Sequence, residues 1–256
     1  MTLPRAAPGA ALQVATLASS GARPEDGRVQ LGCVGFVALS NACRLQREVV
    51  LVSNRHVLMP AGAARGDGVH RPDWPAPEGP PTLHAAGRIA TLTGAGFEGE
   101  RPFAWPGEPA APHFVDCASA VLADGDAIRP VARGVGRLHP LDATPHRRPR
   151  VRVLGASGPA PGRVIATHAT VTSAGEPRRG NIVVRLDRPF AIAQGDSGAL
   201  LLDERDRAVG LLWGRDPGDA AIGYACHIAP VLACLDLTLM TTAMGRPAQP
   251  AYLTAY

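Results

Sequence analysis

The chain has 256 residues, 46% hydrophobic and 19% charged, which is the make-up of a globular protein with a sizeable core and excludes a disordered one. Its 25 prolines and 29 glycines predict many turns and few long helices. A net charge of +4 with 4% aromatics argues against nucleic-acid binding, which would gather arginines into a stripe among aromatics, and no apolar run reaches the roughly 18–20 residues that cross a bilayer.

Residues 1–22 carry one arginine and an early proline, a thin match to a signal peptide, and 11–20 is read as a short helix or loose lead-in. A strand is predicted over Val29 to Leu39, a turn over Asn41 to Gln46, and the second strand of a hairpin over Arg47 to Ser53. That strand runs into Asn54-Arg55-His56-Val57-Leu58, where a histidine at a strand's end can be held rigidly facing a cleft. Residues 60–82 and 94–113 are rich in Pro, Gly and Ala and read as irregular surface excursions, with a short strand over Gly87 to Thr93 between them. His70 and His84 have no neighbouring ligand set, so neither a metal nor a cofactor is expected.

His113 to Leu122 reads as a strand, apolar apart from Asp116 and Ser119 near its middle. A buried aspartate is costly unless it accepts hydrogen bonds, and a histidine N–H is a suitable donor. Asp124-Gly125-Asp126 reads as a turn, either acid being a fallback for the same role. Further strands are predicted over Arg150–Leu154, Arg163–Thr172, Asn181–Leu186, Ala199–Leu202, Ala208–Trp213 and Ile222–Ile228, and a helix over Ala229–Leu237. Short strands with frequent turns imply an all-β sandwich or barrel. The five cysteines (Cys33, Cys43, Cys117, Cys226, Cys234) are odd in number and lack Cys-x-x-Cys spacing; read as reduced, buried thiols, they favour a cytoplasmic setting over export.

Gln194-Gly195-Asp196-Ser197-Gly198 is a good surface turn, and equally a turn that could expose a nucleophilic serine and aim backbone N–H groups at one point. It comes last in the chain order His56, Asp116, Ser197. In Leu51 to Leu58, Val115 to Ala118 and Gln194 to Gly198 the chain resembles the chymotrypsin-like (trypsin-like) serine peptidases over about residues 28–240. The Asn-x-His-Val form is closest in flavour to a bacterial, intracellular-looking branch.

The resemblance implies an all-β fold of two six-stranded antiparallel barrels with a short C-terminal helix. Residues 1–27 would be a lead-in, 28–135 the first barrel with His56 and Asp116, 136–245 the second barrel with Ser197, and 246–256 a tail. It further implies a serine endopeptidase acting through an acyl-enzyme, with Ser197 as nucleophile, His56 as base and Asp116 fixing the imidazole tautomer. Gly195 and Ser197 would form the oxyanion hole, and Ala191, Gln194, Trp213 and Gly214 would contact substrate. Ala191, as an uncharged pocket floor, implies a small or apolar side chain before the cut. Partners would be a protein or peptide substrate and a regulatory protein, with no membrane or nucleic acid.

The alternative is a catalytically inactive relative that binds a peptide or protein in the inter-barrel cleft. Departures from the family pattern are Val57 in place of a common cysteine, Leu212 in place of a serine that helps hold the aspartate, and Ala199-Leu200 in place of Gly-Pro. No activation site yields an apolar N-terminus for Asp196, so the oxyanion pocket is expected to be preformed or ordered by some other event. An α/β-hydrolase is disfavoured because His56 precedes the serine and Gly-x-Ser-x-Gly is absent there.

Overall fold

The computed structural model describes residues 13–17, 29–42, 48–70, 88–123, 130–138, 149–156, 158–193 and 195–243. In chain order these form β1 (Gln13–Leu17), β2 (Val29–Cys33), β3 (Phe36–Ser40), β4 (Val49–Ser53), α1 (Arg55–Leu58), β5 (Gly68–His70), β6 (Arg88–Phe103), β7 (Ala111–Leu122) and β8 (Gly134–Val135). There follow β9 (Arg150–Gly155), β10 (Gly158–Ser173), β11 (Glu176–Leu186), β12 (Leu200–Asp203), β13 (Arg207–Arg215), β14 (Ile222–His227), α2 (Ile228–Cys234) and β15 (Leu237–Leu239).

The strands divide into two sheets, each curled into a barrel. In the first the order is β15-β3-β4-β7-β6-β5-β1-β2. Only Val34 and Gly35 separate β2 from β3, so the row closes on itself at that bend, and β2–β3 counted as one bent strand gives a ring of six with β15 added outside it at β3. In the second, β9-β10-β11-β14-β13-β12 closes through the β12–β13 and β12–β9 pairings. Pairing is antiparallel throughout except where β8 adds parallel to β13. This is the two-barrel, chymotrypsin-like architecture, with a short helix near the C-terminus.

Strands buried on both faces explain the near-continuous apolar runs in the sequence. In β4, Leu51 enters the core of the first barrel while Val50 and Val52 enter a cluster between the barrels. In β12, Leu201 faces the core of the second barrel while Leu200 and Leu202 join the same shared cluster. That cluster also holds Phe36, Phe114, Leu211, Trp213 and Val231, so the barrels adhere through a packed apolar interface.

Four local readings change. Residues 68–70, expected within an irregular surface excursion, form the strand β5, paired with β6 and β1, with Val69 and His70 buried. Residues 13–17 are a strand, paired with β2 and β5, because ladder partners outweigh the helix preference of an Ala/Leu-rich stretch. The expected irregular segment from 94 onward instead continues β6 to Phe103, paired with β7 from Gly96↔Ala118 to Phe103↔Ala111 after a bulge beyond Leu92. This arm is mostly exposed, so its own residues carry no apolar alternation; its apolar partner strand specifies it. The last helix is shorter than expected, Ile228–Cys234, and the chain then returns to the first barrel as β15, pairing with β3. The predicted turn at 41–46, the stretches at 71–87, the acids at 124–126 and the tail fall wholly or partly outside the described residues.

Candidate active site

β4 delivers its last residue, Ser53, fully buried at the seam between the barrels, and the chain turns at once into the single turn α1. The cap residue Asn54 makes no side-chain bond to its own helix. The Asp116 carboxylate does that work from β7: Oδ1 accepts the Arg55 N–H at 2.7 Å and lies 3.4 Å from the His56 N–H. The other oxygen, Oδ2, lies 2.5 Å from His56 Nδ1. Asn54 Nδ2 in turn donates to the Asp116 carbonyl at 2.8 Å. One carboxylate thus caps α1 and orients its imidazole. Asp116 is 1% exposed and the His56 side chain 32%, so the acid is shielded while the imidazole is partly open to solvent. The Arg55 backbone N–H that holds this carboxylate is marked by no sequence motif. Asn54, immediately before the helix, is the only local hint.

Ser197 sits in the turn between Ala193 and β12. Gly195 (φ +98°) and Gly198 (φ +89°) both occupy the left-handed region that glycine tolerates. The turn is pinned on both sides. Cys33 N–H donates to the Ser197 carbonyl at 2.7 Å, and Gly198 N–H donates to the Leu212 carbonyl at 2.7 Å. A Cβ at Gly32 would lie 2.4 Å from Val57 and 2.8 Å from the Ser197 carbonyl oxygen, so Gly32 is what lets the serine turn and α1 approach each other. His56 and Asp116 are in direct contact. Among the hydrogen bonds of the described residues none joins the His56 and Ser197 side chains, a contact that in many free enzymes closes only around substrate. The N–H groups of Gly195 and Ser197 have no acceptor among the described residues.

Asp196, 3% exposed, is held by backbone. Its Oδ1 accepts Ala156 N–H at 2.7 Å and its Oδ2 accepts Ala193 N–H at 2.7 Å. Gly155 is packed so closely that a Cβ there would lie 2.8 Å from Oδ1. The thiol of Cys33 lies 3.3 Å from the Gly195 carbonyl and 3.8 Å from Asp196 Oδ1. Burial, then the Asp196 charge, pushes that thiol well up, so it stays protonated and can donate.

The expected substrate-contacting residues fall partly together. Trp213, on β13, is 8% exposed, stacks on Tyr224 with ring centroids 5.6 Å apart, and donates from Nε1 to Asn181 Oδ1 at 2.9 Å. Burial, then a bond to Asp216, pushes the Tyr224 phenol up to about 12. Gly214 follows half-buried and Ala191 is half-buried against the second barrel's core; Gln194 lies outside the described residues. A groove of about 500 Å³ opens beside α1 between the β6–β7 arm and the β10–β11 turn, lined by Arg55, Phe97, Glu98, Phe114, Glu176 and Arg178. The Arg178 guanidinium lies 4.4 Å from the Phe114 ring centroid and 4.9 Å from that of Trp213, and pairs with Glu98 at 3.3 Å. Its bridging of the two barrels depends on contacts with residues far away in the chain, which no local pattern around Arg178 marks.

Beyond this cleft three histidines gather: His113 and His227 are buried and His168 is exposed. Burial pushes the His227 imidazole down to about 3, with the neighbouring His113, His168 and Arg137 adding to the effect against a bond to the Thr167 carbonyl.

No family model matches the chain, and no curated protein matches it. Solved structures do. Thermobifida fusca protease A aligns with a TM-score of 0.54 at 17% identity, covering 83% of this chain and 92% of that one. Nocardiopsis protease aligns at 0.53 and 14% identity, covering 91% and 98%. A glutamic acid-specific serine protease that uses a histidine triad in substrate binding aligns at 0.53 and 12% identity, again covering 91% and 98%. The fold is therefore that of the chymotrypsin-like bacterial serine proteases.

Proposed function

We propose that the protein is a serine endopeptidase in which Ser197, His56 and Asp116 act as a triad. The observation that carries this is the 2.5 Å contact of His56 Nδ1 with the shielded Asp116 carboxylate, made in the same seam where Gly32 lets the serine turn approach α1. A serine hydroxyl attacks an amide only if its proton is removed as the bond forms. His56 Nε2 takes that proton, Ser197 Oγ bonds to the scissile carbon, and the imidazolium returns the proton to the leaving amine. Water then attacks the acyl-enzyme by the same route, releasing the acid and restoring the serine. Asp116 holds the proton on Nδ1 and stabilises the transient imidazolium.

The N–H groups of Gly195 and Ser197 stabilise the oxyanion, each such donor contributing on the order of 100- to 1,000-fold in rate. Because Asp196 finds its partners in Ala156 and Ala193, this pocket is preformed and needs no processing event. A peptide would run along Trp213 and Gly214 into the groove lined by Phe114 and Arg178, with Ala191 at the floor of the first pocket favouring a small or apolar side chain. The free thiols of Cys33, Cys117 and Cys226 fit a reducing, cytoplasmic setting.

The test is labelling by a fluorophosphonate probe, together with cleavage of a peptide library. Labelling of the wild-type protein, lost in Ser197→Ala and His56→Ala, supports the reading. Folded protein that neither labels nor cleaves would make the cleft a binding surface instead.

A further inference from the structure

We propose that His113, His168 and His227 form a binding site for a divalent transition cation of the zinc class, linking the two barrels. One nitrogen from each ring lies within 4.8 Å of the others. They come from three separate elements: His113 from β7 in the first barrel, His168 from β10 and His227 from the end of β14 in the second. Side chains alternate along β7, so His113 leaves the face opposite Asp116, and the cluster is distinct from the His56–Asp116 pair.

Hydrogen bonds to backbone carbonyls fix the tautomers of two of the rings. His113 Nδ1 lies 3.0 Å from the Ala111 carbonyl, and His227 Nε2 lies 2.5 Å from the Thr167 carbonyl. A carbonyl only accepts, so both nitrogens carry hydrogen, which leaves lone pairs on His113 Nε2 and His227 Nδ1. Imidazoles that bind metals are held in this way, with the far N–H on a backbone carbonyl or carboxylate. Trp105 Nε1 donates to His113 Nε2 at 3.3 Å, a long bond consistent with that lone pair and a contact that a cation would displace. His168 is exposed, with Nδ1 3.1 Å from Thr167 Oγ1. Its exposure at the surface provides an entry route. A rotation of this ring would also bring its nitrogen toward the other two, to the separation of roughly 3.3 Å that a tetrahedral ion with Zn–N bonds of about 2.0–2.1 Å requires.

The donor set selects the ion. Three imidazoles suit zinc, copper or nickel and are a poor match for magnesium or calcium, which prefer oxygen. The neighbouring cationic side chain, Arg137, lies over the Trp105 ring and is paired with Glu108, which offsets its charge. With three protein ligands, the fourth position opens toward solvent beside His168 and takes water. The bound ion would tie β7, three residues before Asp116, to β10 and β14.

Full-length protein treated with EDTA and exchanged into metal-free buffer is titrated with Zn²⁺ and, separately, Mg²⁺, followed by calorimetry, tryptophan emission and thermal melting. The expected result is one equivalent of Zn²⁺ bound, a change in tryptophan emission, and a Tm raised by roughly 5 °C or more at about hundredfold excess over Kd. Mg²⁺ should do none of this. His168→Ala, at an exposed position, should abolish the saturable binding and the Tm rise; His168→Gln serves if the alanine variant does not fold. Absence of one-to-one binding, an equal response to Mg²⁺, or binding that survives both His168 variants overturns the proposal. None of these readouts depends on peptidase activity.

Discussion

Gly198 lies so close to Ser53 that a Cβ on the glycine would fall 2.1 Å from the Ser53 hydroxyl oxygen and 2.4 Å from the Cys33 carbonyl that this hydroxyl bonds at 2.6 Å. The serine turn is therefore docked onto the last residue of the strand that leads to His56. Gly198→Ala adds a clash to a backbone at φ +89°. The two effects together should cost roughly 3 kcal/mol in urea denaturation and abolish probe labelling of Ser197. Labelling at the wild-type rate would show that the docking is dispensable.

Asp116→Asn keeps an acceptor for the Arg55 N–H, so α1 should remain formed and Tm should change little. The amide NH₂ now faces His56 Nδ1 and favours the wrong tautomer. The expected fall in kcat is about 10⁴-fold, the size seen when a triad aspartate is so replaced. A fall of tenfold or less would mean that Asp116 only caps the helix.

Asp196→Ala removes the acceptor of two backbone N–H groups, those of Ala156 and Ala193. Leaving such groups unsatisfied should cost roughly 2–4 kcal/mol of stability. Because the same carboxylate sets the turn that carries Gly195 and Ser197, kcat should fall more than KM rises. A rise in KM alone would argue against a role in shaping the oxyanion pocket.

His227 gives a pH signature. Its folded pKa of about 3 lies below the unfolded value near 6.5, so the unfolded chain binds the extra proton as pH falls through that window. Stability contributed by the neutral ring is complete above about pH 6.5 and is lost toward pH 3, at up to about 1.4 kcal/mol per pH unit. Between pH 7 and 4.5, with chelator present, wild type should therefore lose about 2.5 kcal/mol more than His227→Gln. Parallel losses in the two proteins would refute the assignment.

Arg178→Ala should raise KM for peptides long enough to reach the groove while leaving short ester substrates nearly unchanged, since the side chain packs on Phe114 and Trp213 without approaching the reacting atoms. Equal effects on both substrate lengths would remove Arg178 from the binding surface.

The barrel class is legible in the sequence, as are His56 and Asp116, which the structure brings into contact. Apolar strands two faces deep, such as Val49 to Ser53 and Leu200 to Leu202, announce themselves, and the glycines around Ser197 mark a turn that only small residues permit. The β6 arm is not legible, because its side chains face solvent and its pairing is dictated from β7. Nor are the groups that hold Asp116 and Asp196: they are backbone amides, identical at every position, and only their placement distinguishes Arg55, Ala156 and Ala193. The same holds for His113, His168 and His227, which share no spacing. Sequence by itself determines which side chains must be buried and which turns are possible, since those are local free energies. Which polar groups then meet across 40, 60 or 80 residues is decided only when two closed barrels are pressed together, because burial forces each to find a partner wherever the fold has put one.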